Sequence, residues 1–272
     1  MDLSDVIVMV MMMFHDNIVL FTDAKIAIYE CNRVAKNKRE MNDAKSFFII
    51  FAPPLHRTFR STEKMGKIKN IVFDFGGVII TIDYQQAVKH FQQIGIANAA
   101  HVLDPYTQIG IFGDLEKGKI SGEEFRQQLS SIAGKELSWN DCKYGWLGYL
   151  KELPQRNLNV LRQLHKEGFR LLLLSNTNPF IMEWAMSDQF DGQGHSLKDY
   201  FDGICVSYEC GVLKPDKVIF QHLLEKENIL AEETLFLDDG PKNVAAAVQL
   251  GFRTFCPENG ADWTKDIYQH LK

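Results

Sequence analysis

Over residues 65–272 the sequence predicts an α/β fold, a doubly wound parallel sheet carrying one inserted block of helices. Short unbroken apolar runs recur, as in strands buried on both faces. Amphipathic helical stretches separate them, the alternation that parallel sheets require. Residues 85–156 show helical periodicity and no clear strand, so they read as an insert between core segments 65–84 and 157–272.

The first strand is KNIVFDF (69–75), and GGVII with TIDY (76–84) turns back over its end. In the insert, QQAVKHFQQIG (85–95) is amphipathic at helical spacing. SGEEFRQQLSSIAG (121–134) is a second helix, with Ser121 as N-cap, Glu124 at the capping-box position and Gly134 past the end. WNDCKYGWLGYLKEL (139–153) is a third helix. Beyond Pro154 the alternation resumes with the helix NLNVLRQLHKEG (157–168) and the strand FRLLLLSNTN (169–178). A third strand lies in DGICVSYECG (202–211), and the helix KPDKVIFQHLLEKENI (214–229) has Pro215 near its first turn. TLFLDDG (234–240) is the fourth strand, PKNVAAAVQLG (241–251) a helix stopped by Gly251, and FRTFCP (252–257) the fifth strand.

Composition narrows the function classes. With 46% hydrophobic and 24% charged residues the chain is an ordinary globular one. A net charge of -5, with Lys and Arg scattered, leaves no electrostatic footprint for nucleic acid. Cys31, Cys142, Cys205, Cys210 and Cys256 form no CxxC pair and no zinc spacing, so they read as reduced thiols in a cytoplasmic protein. Cys205 and Cys210 bracket a strand as buried thiols with no sign of a depressed pKa. The run VIVMVMMMF (6–14) is too short to span a bilayer and follows MDLSD rather than a basic lead, so neither export nor a membrane span is expected. Residues 1–64 stand apart. They contain no Gly and no Trp but six of the nine Met, where average usage of about 7% would put about four Gly. Met65 opens MGKIKNIVFDF as a natural start, so it is the expected initiator and 1–64 an extension of doubtful status. SFFIIF (46–51) is the element by which a genuine extension would pack.

In open α/β sheets the ligand crevice lies beyond the carboxyl ends of the strands. Asp74, Ser175 with Asn176, and Asp238 with Asp239 all fall at such ends, and Lys214 opens the helix after the third strand. Any one of them alone reads as a turn or cap residue; together they suit a phosphoryl group. A carboxylate attacks phosphorus, a divalent cation screens the repulsion between anions, and a lysine and a hydroxyl hold the remaining oxygens. Converging carboxylates raise at least one pKa, and a hard ion with oxygen ligands, Mg²⁺ above all, relieves that cost.

VFDFGGVI (72–79), LLLLSNTN (171–178), GVLKPD (211–216) and LFLDDGPKN (235–243), in this order, resemble the four motifs of the haloacid dehalogenase superfamily. The insert resembles that superfamily's helical cap. A closer likeness is to bacterial sugar-phosphate phosphatases of the glucose-1-phosphate type. These share an aspartate nine residues after the nucleophile, here Asp83, and a GEIS-like stretch, here GKIS (118–121). The resemblance implies a Rossmann-like core and a Mg²⁺-dependent phosphatase acting on a small phosphorylated metabolite, a sugar phosphate, through an aspartyl-phosphate. It implies roles residue by residue. Asp74 is the nucleophile and a metal ligand, and Gly76 offers the metal its carbonyl. Ser175 and the Asn176 amide bind phosphate, and Lys214 binds phosphate and orients Asp74. Asp239 and Asp238 hold the metal, and Asn243 positions their loop. No nucleic-acid or membrane partner is implied, and the oligomeric state stays open.

One position departs from the family pattern. Most phosphatases of the superfamily carry a second aspartate two residues after the nucleophile, which protonates the leaving oxygen and later activates water; here Gly76 stands there. Such help is worth about 10²–10⁴-fold. A sugar 1-phosphate, whose hemiacetal oxygen leaves more readily, suffers least from its loss. Asp83 is the candidate substitute, set against its reading as a turn carboxylate. Two rivals remain. A metal-independent 2-haloacid dehalogenase would use the same Asp on carbon, but it has no need of the Asp238–Asp239 pair. A non-catalytic module would keep the phosphate cradle without turnover. His101, Tyr106, Phe112, Glu116 and Trp146 are placed to line a substrate pocket, but such residues at helical spacing are more often core, and none is assigned a role.

Overall fold

The computed structural model describes residues 67–103 and 109–271 in full, and 9–14, 17–21 and 44–50 as backbone strands. The chain divides into two compact units, Met1–Glu63 and Lys64–Lys272. In the first, β1 (Met9–Phe14) pairs antiparallel with β2 (Asn17–Phe21) on one side and β3 (Ala44–Ile50) on the other. The expectations for Met65, Tyr106 and Cys31 lie outside the described residues. Among those residues no helix is long and apolar enough to cross a membrane.

In the second unit, β4 (Asn70–Phe73) leads through a turn to β5 (Thr81–Ile82). Helices follow: α1 (Tyr84–Gln93), α2 (Ala99–Val102), α3 (Gly110–Glu116), α4 (Gly122–Ala133) and α5 (Trp139–Leu147), then β6 (Leu150–Glu152). Next come α6 (Gln155–Lys166), β7 (Arg170–Ser175), α7 (Pro179–Ala185), β8 (Gly203–Val206) and α8 (Ser207–Cys210). The unit closes with α9 (Lys217–Glu227), β9 (Thr234–Leu237), α10 (Pro241–Gln249), β10 (Arg253–Phe255) and α11 (Ile267–His270).

The apolar runs form one parallel sheet in the order β10-β9-β4-β7-β8. Both faces of the central strands β4, β7 and β9 are buried, which is why their runs are unbroken rather than alternating. Ile71, Phe73, Leu173 and Leu237 pack with α6 and Trp263 on one face. Val72, Leu172, Leu174 and Phe236 pack with Ile219, Phe220 and Leu223 of α9 on the other. Phe73 is in register with both Leu173 and Leu237. The residues that follow, Asp74 and Asp238, therefore emerge side by side at the carboxyl edge, with Ser175 at the end of β7.

The turn after β4 folds back as expected. The Gly77 N–H donates to the Ile80 carbonyl at 2.8 Å. The Asn157 carboxamide donates to the carbonyls of Val78 and Ile79 at 3.0 and 3.1 Å, and the Trp263 indole donates to Val78 at 2.8 Å. Two elements differ from the sequence reading. The insert ends in a strand, β6, expected as helix. The two connections between insert and core run side by side and satisfy each other's backbone groups, Thr81 with Glu152 and Ile82 with Leu150. Lys214 does not open a helix: α8 intervenes after β8, and the Asp216 carboxylate accepts from the Val218 N–H as N-cap, so α9 starts at Lys217.

The insert has its own core, where Phe91, Phe112, Phe125 and Trp146 stack edge-on or tilted with centroids 5.2–6.0 Å apart. Ser121 and Glu124 form the expected capping box, and Gly134 adopts the left-handed C-cap, φ 66°. Phe180 of α7 joins this cluster against Phe125 and Trp139, and Glu183 of α7 accepts from the Trp139 indole at 2.5 Å and pairs with Lys143 at 2.7 Å. Helices α1 and α5 approach closely at Gly145, where a Cβ would stand 2.7 Å from the Phe91 ring. Phe91 is fully buried between Phe112 and Trp146 and has nowhere to retreat. Gly145→Ala is therefore expected to lower unfolding free energy by about 1–3 kcal/mol through overpacking. Denaturant unfolding checks this, and an unchanged midpoint contradicts the packing account.

Candidate active site

The carboxyl edge of the sheet opens into a cavity of about 480 Å³. Asp74, Gly76, Ser175, Asn176, Lys214, Asp239 and Asn243 line it from the core, and Glu116, Trp146 and Tyr149 from the insert. Of the expected site residues, Asp238 lies directly behind this wall, fully buried. Asp83 is not among the lining residues. Its carboxylate accepts from the Gln86 N–H at 3.0 Å and caps α1, so the turn reading describes its place.

A buried lysine organises the charges. Lys214 Nζ stands 2.8 Å from Asp74 Oδ1 and 2.6 Å from Asp238 Oδ2, over the Phe236 ring at 5.6 Å. Its backbone is held from both sides by one side chain: Asn176 Oδ1 accepts from the Lys214 N–H at 2.8 Å, and Asn176 Nδ2 donates to the Lys214 carbonyl at 3.0 Å. The Asn176 carboxamide is thus engaged with the chain itself. Among the described residues, Ser175 Oγ hydrogen-bonds only to the Asn176 carbonyl, at 3.3 Å. Asp238 is saturated: Oδ1 accepts from the Gly240 N–H and Asn243 Nδ2 at 2.8 and 2.9 Å, and Oδ2 from Lys214 and, at 3.1 Å, Asn243. Asn243 therefore does position this loop, through Asp238.

Asp74, Asp238 and Asp239 each offer an oxygen within 4.8 Å of the others. Burial is the largest influence on Asp74. It pushes the carboxyl well above its ordinary range, Asp238 and Asp239 add to that, and Lys214 opposes it. Burial and the neighbouring Asp238 push Asp239 up to about 6, against the pull of Lys214. Burial would lower Lys214, but the Asp238 and Asp74 carboxylates reverse this and raise it. One ammonium thus faces three carboxyls, and the excess of negative potential, with oxygen donors only, fits a hard divalent ion such as Mg²⁺.

The two glycines after Asp74 differ. At Gly77, φ is +79° and a Cβ would stand 2.2 Å from Asp239 Oδ2, so only glycine leaves room for that carboxylate. At Gly76 a Cβ would meet Ile82 Cγ2 at 3.4 Å, an ordinary contact. Away from the site, Cys210 corrects the sequence reading: a hydrogen bond shared with Cys205, Sγ to Sγ 3.2 Å, draws its thiol below the ordinary range. The bond forms because the short α8 turns Cys210 back over the strand end.

Several known proteins resemble this chain. A family model for haloacid dehalogenase-like hydrolases matches residues 68–251. A D-ribitol-5-phosphate phosphatase of Bacteroides thetaiotaomicron is 47% identical over 200 residues, covering 74% of this chain and 97% of that protein. A haloacid dehalogenase (HAD)-like family hydrolase from Porphyromonas gingivalis superposes with a TM-score of 0.72 at 42% identity, covering 76% of this chain and 99% of that one. A HAD family enzyme of Bacteroides thetaiotaomicron, solved with magnesium and inorganic phosphate, gives a TM-score of 0.67 at 34% identity over 73% of this chain and 98% of its own.

The raised Asp239 carboxyl has a consequence for pH. Between its ordinary value of 3.8 and about 6, the folded group keeps a proton that the unfolded chain has lost. Without metal, this contribution to stability therefore falls as pH rises through that window. Mg²⁺ must displace the proton, so the rise in Tm on adding Mg²⁺ is expected to be larger at about pH 7 than at about pH 5. Thermal denaturation with and without Mg²⁺ measures it, and equal rises at both values contradict the assignment.

Proposed function

This chain belongs to the haloacid dehalogenase-like hydrolases, and from that premise we propose that it hydrolyses the phosphate ester of a small open-chain polyol, of the D-ribitol 5-phosphate kind. It is a Mg²⁺-dependent phosphatase of small phosphorylated metabolites, working through an aspartyl-phosphate. The 47% identity to a D-ribitol-5-phosphate phosphatase over 97% of that protein carries the choice of substrate.

In the proposed reaction Asp74 is the nucleophile, aimed by Lys214 at 2.8 Å, whose charge favours the ionised form against burial. Ser175 Oγ and the Asn176 backbone N–H take phosphate oxygens, and Lys214 takes a third. Asp74, Asp239 and the Gly76 carbonyl would hold Mg²⁺, which when bound would neutralise phosphate charge. Asp238, with its acceptor capacity filled, orients Lys214 and the Asp239 loop. The insert, joined by the β5–β6 ribbon, covers the cavity and limits water. The setting is the cytoplasm, and the substrate is a small ester rather than nucleic acid or membrane. A metal-independent dehalogenase would have no use for three converging carboxyls. D-ribitol 5-phosphate is the ester of a primary alcohol, so this reading sets aside the easier hemiacetal leaving group that Gly76 favours.

Phosphate release from polyol and sugar phosphates, with Mg²⁺ and with EDTA, tests the reading. Polyol 5-phosphates are expected to have the highest kcat/KM, with turnover lost in EDTA and in Asp74→Asn. A clear preference for sugar 1-phosphates would overturn the substrate class, and metal-independent turnover would overturn the mechanism.

A further inference from the structure

A primary alcohol leaves as a strongly basic oxygen, so its departure calls for a proton. Gly76 cannot supply one, and Asp83 is a helix cap away from the cavity. Among the described residues, the carboxyls that line the cavity are Asp74, Asp239 and Glu116. The first two belong to the metal-binding cluster. Glu116 reaches the cavity from the insert.

Its setting is unusual for a glutamate. It ends α3 on the same buried stripe as Phe112 and Leu115, and is 9% exposed. Among the described residues nothing hydrogen-bonds to its carboxyl or pairs with it. Its position is fixed by backbone: at Gly118, φ +64°, the chain passes so close to the core that a Cβ would lie 2.0 Å from the Tyr208 carbonyl oxygen. Tyr208 belongs to α8, the turn before the loop that carries Lys214. The insert therefore meets the core at α8, the turn that leads to the Lys214 loop, and Glu116 lines the same cavity as Lys214.

Burial pushes the Glu116 carboxyl up to about 8, so at neutral pH it is a buried O–H. The other titratable groups lining the cavity are Asp74, Asp239, Lys214, Lys242 and Tyr149. The elements packed on α3 add Tyr208, Glu209 and Cys210 from α8, and Glu123, Glu124 and Arg126 from α4. Arg126 is already paired with Glu123 at 2.6 Å.

We propose that Glu116 is the acid–base residue of this phosphatase, supplied by the insert in place of the carboxyl that Gly76 lacks. The proposal rests on the phosphatase reading above. In the first step Asp74 Oδ bonds to phosphorus while the phosphorus–alcohol bond breaks. The alcohol oxygen keeps that electron pair and takes the Glu116 proton. In the second step the Glu116 carboxylate takes a proton from water as the water oxygen bonds to phosphorus. The Asp74–phosphorus bond then breaks, which restores the Asp74 carboxylate and the protonated Glu116.

The test compares the full chain with its Glu116→Gln variant in Mg²⁺, by single-turnover measurement of alcohol release. Gln keeps the shape and neutrality of the protonated side chain but has no transferable proton. The substrates are D-ribitol 5-phosphate and p-nitrophenyl phosphate, whose phenolate leaves unprotonated. Release of ribitol is expected to slow by about 10²–10⁴-fold, while nitrophenolate release, which needs no acid, slows far less; an unchanged unfolding midpoint shows that the variant is folded. The alkaline fall of ribitol release near pH 8 in the native enzyme is expected to vanish in the variant. Equal slowing of both substrates, a change in KM alone, or no change overturns the proposal. If the native enzyme prefers another alkyl phosphate, the polyol reading fails, and the same comparison on that ester still decides the role of Glu116.

Discussion

A single ammonium group, Lys214 Nζ, lets two buried carboxylates stand together at the end of the sheet. Two unit charges 4 Å apart interact by about 4 kcal/mol at an effective dielectric near 20, so the pair would not both stay ionised without it. The lysine does not suffice for three carboxyls, and burial still holds Asp74 and Asp239 towards their protonated forms. That residual imbalance is what a divalent ion and a phosphoryl group complete. The rest of the site serves this arrangement. Strand register sets Asp74 beside Asp238, Asn176 grips the Lys214 backbone from both sides, and Asn243 and Gly240 fill the remaining acceptor positions of Asp238.

The adjacent glycines Gly76 and Gly77 separate what the fold demands from what it permits. Gly77 is imposed by packing, since the Asp239 carboxylate occupies the space of its missing side chain. Gly76 is not imposed in this way, because a side chain there would make only ordinary contact with Ile82. The missing acid is thus no consequence of steric pressure. Under the proposed role of Glu116, the proton chemistry would pass to a residue of the insert, which meets the core at the Gly118–Tyr208 contact.

Much of this was legible in the sequence, because the signals are local. Unbroken apolar runs located β4, β7 and β9, their alternation with helices located β8 and β10, and the Ser121–Glu124 box with Gly134 located α4. Asp74, Ser175, Lys214 and Asp239 were found because strand ends of a parallel sheet must converge. What was not legible depends on partners distant in the chain. The β5–β6 ribbon joins residues about seventy positions apart, too short on either side to show a period. Asp83 reads in sequence as a turn carboxylate or as a substitute acid, and its cap on α1 fits the first. Cys210 looked inert until the turn of α8 brought it to Cys205. Glu116 left one trace: a carboxylate four residues after Phe112, on an apolar stripe where charge is costly.

The central claim is that Asp74 carries the phosphoryl group. It is tested most directly by quenching a single turnover and reducing the protein with borohydride, which converts an acyl phosphate into homoserine, and then sequencing the peptide by mass spectrometry. The account predicts homoserine at position 74 and an unmodified Asp239 and Asp238. Homoserine at another carboxylate, or none while phosphate is released, would contradict it.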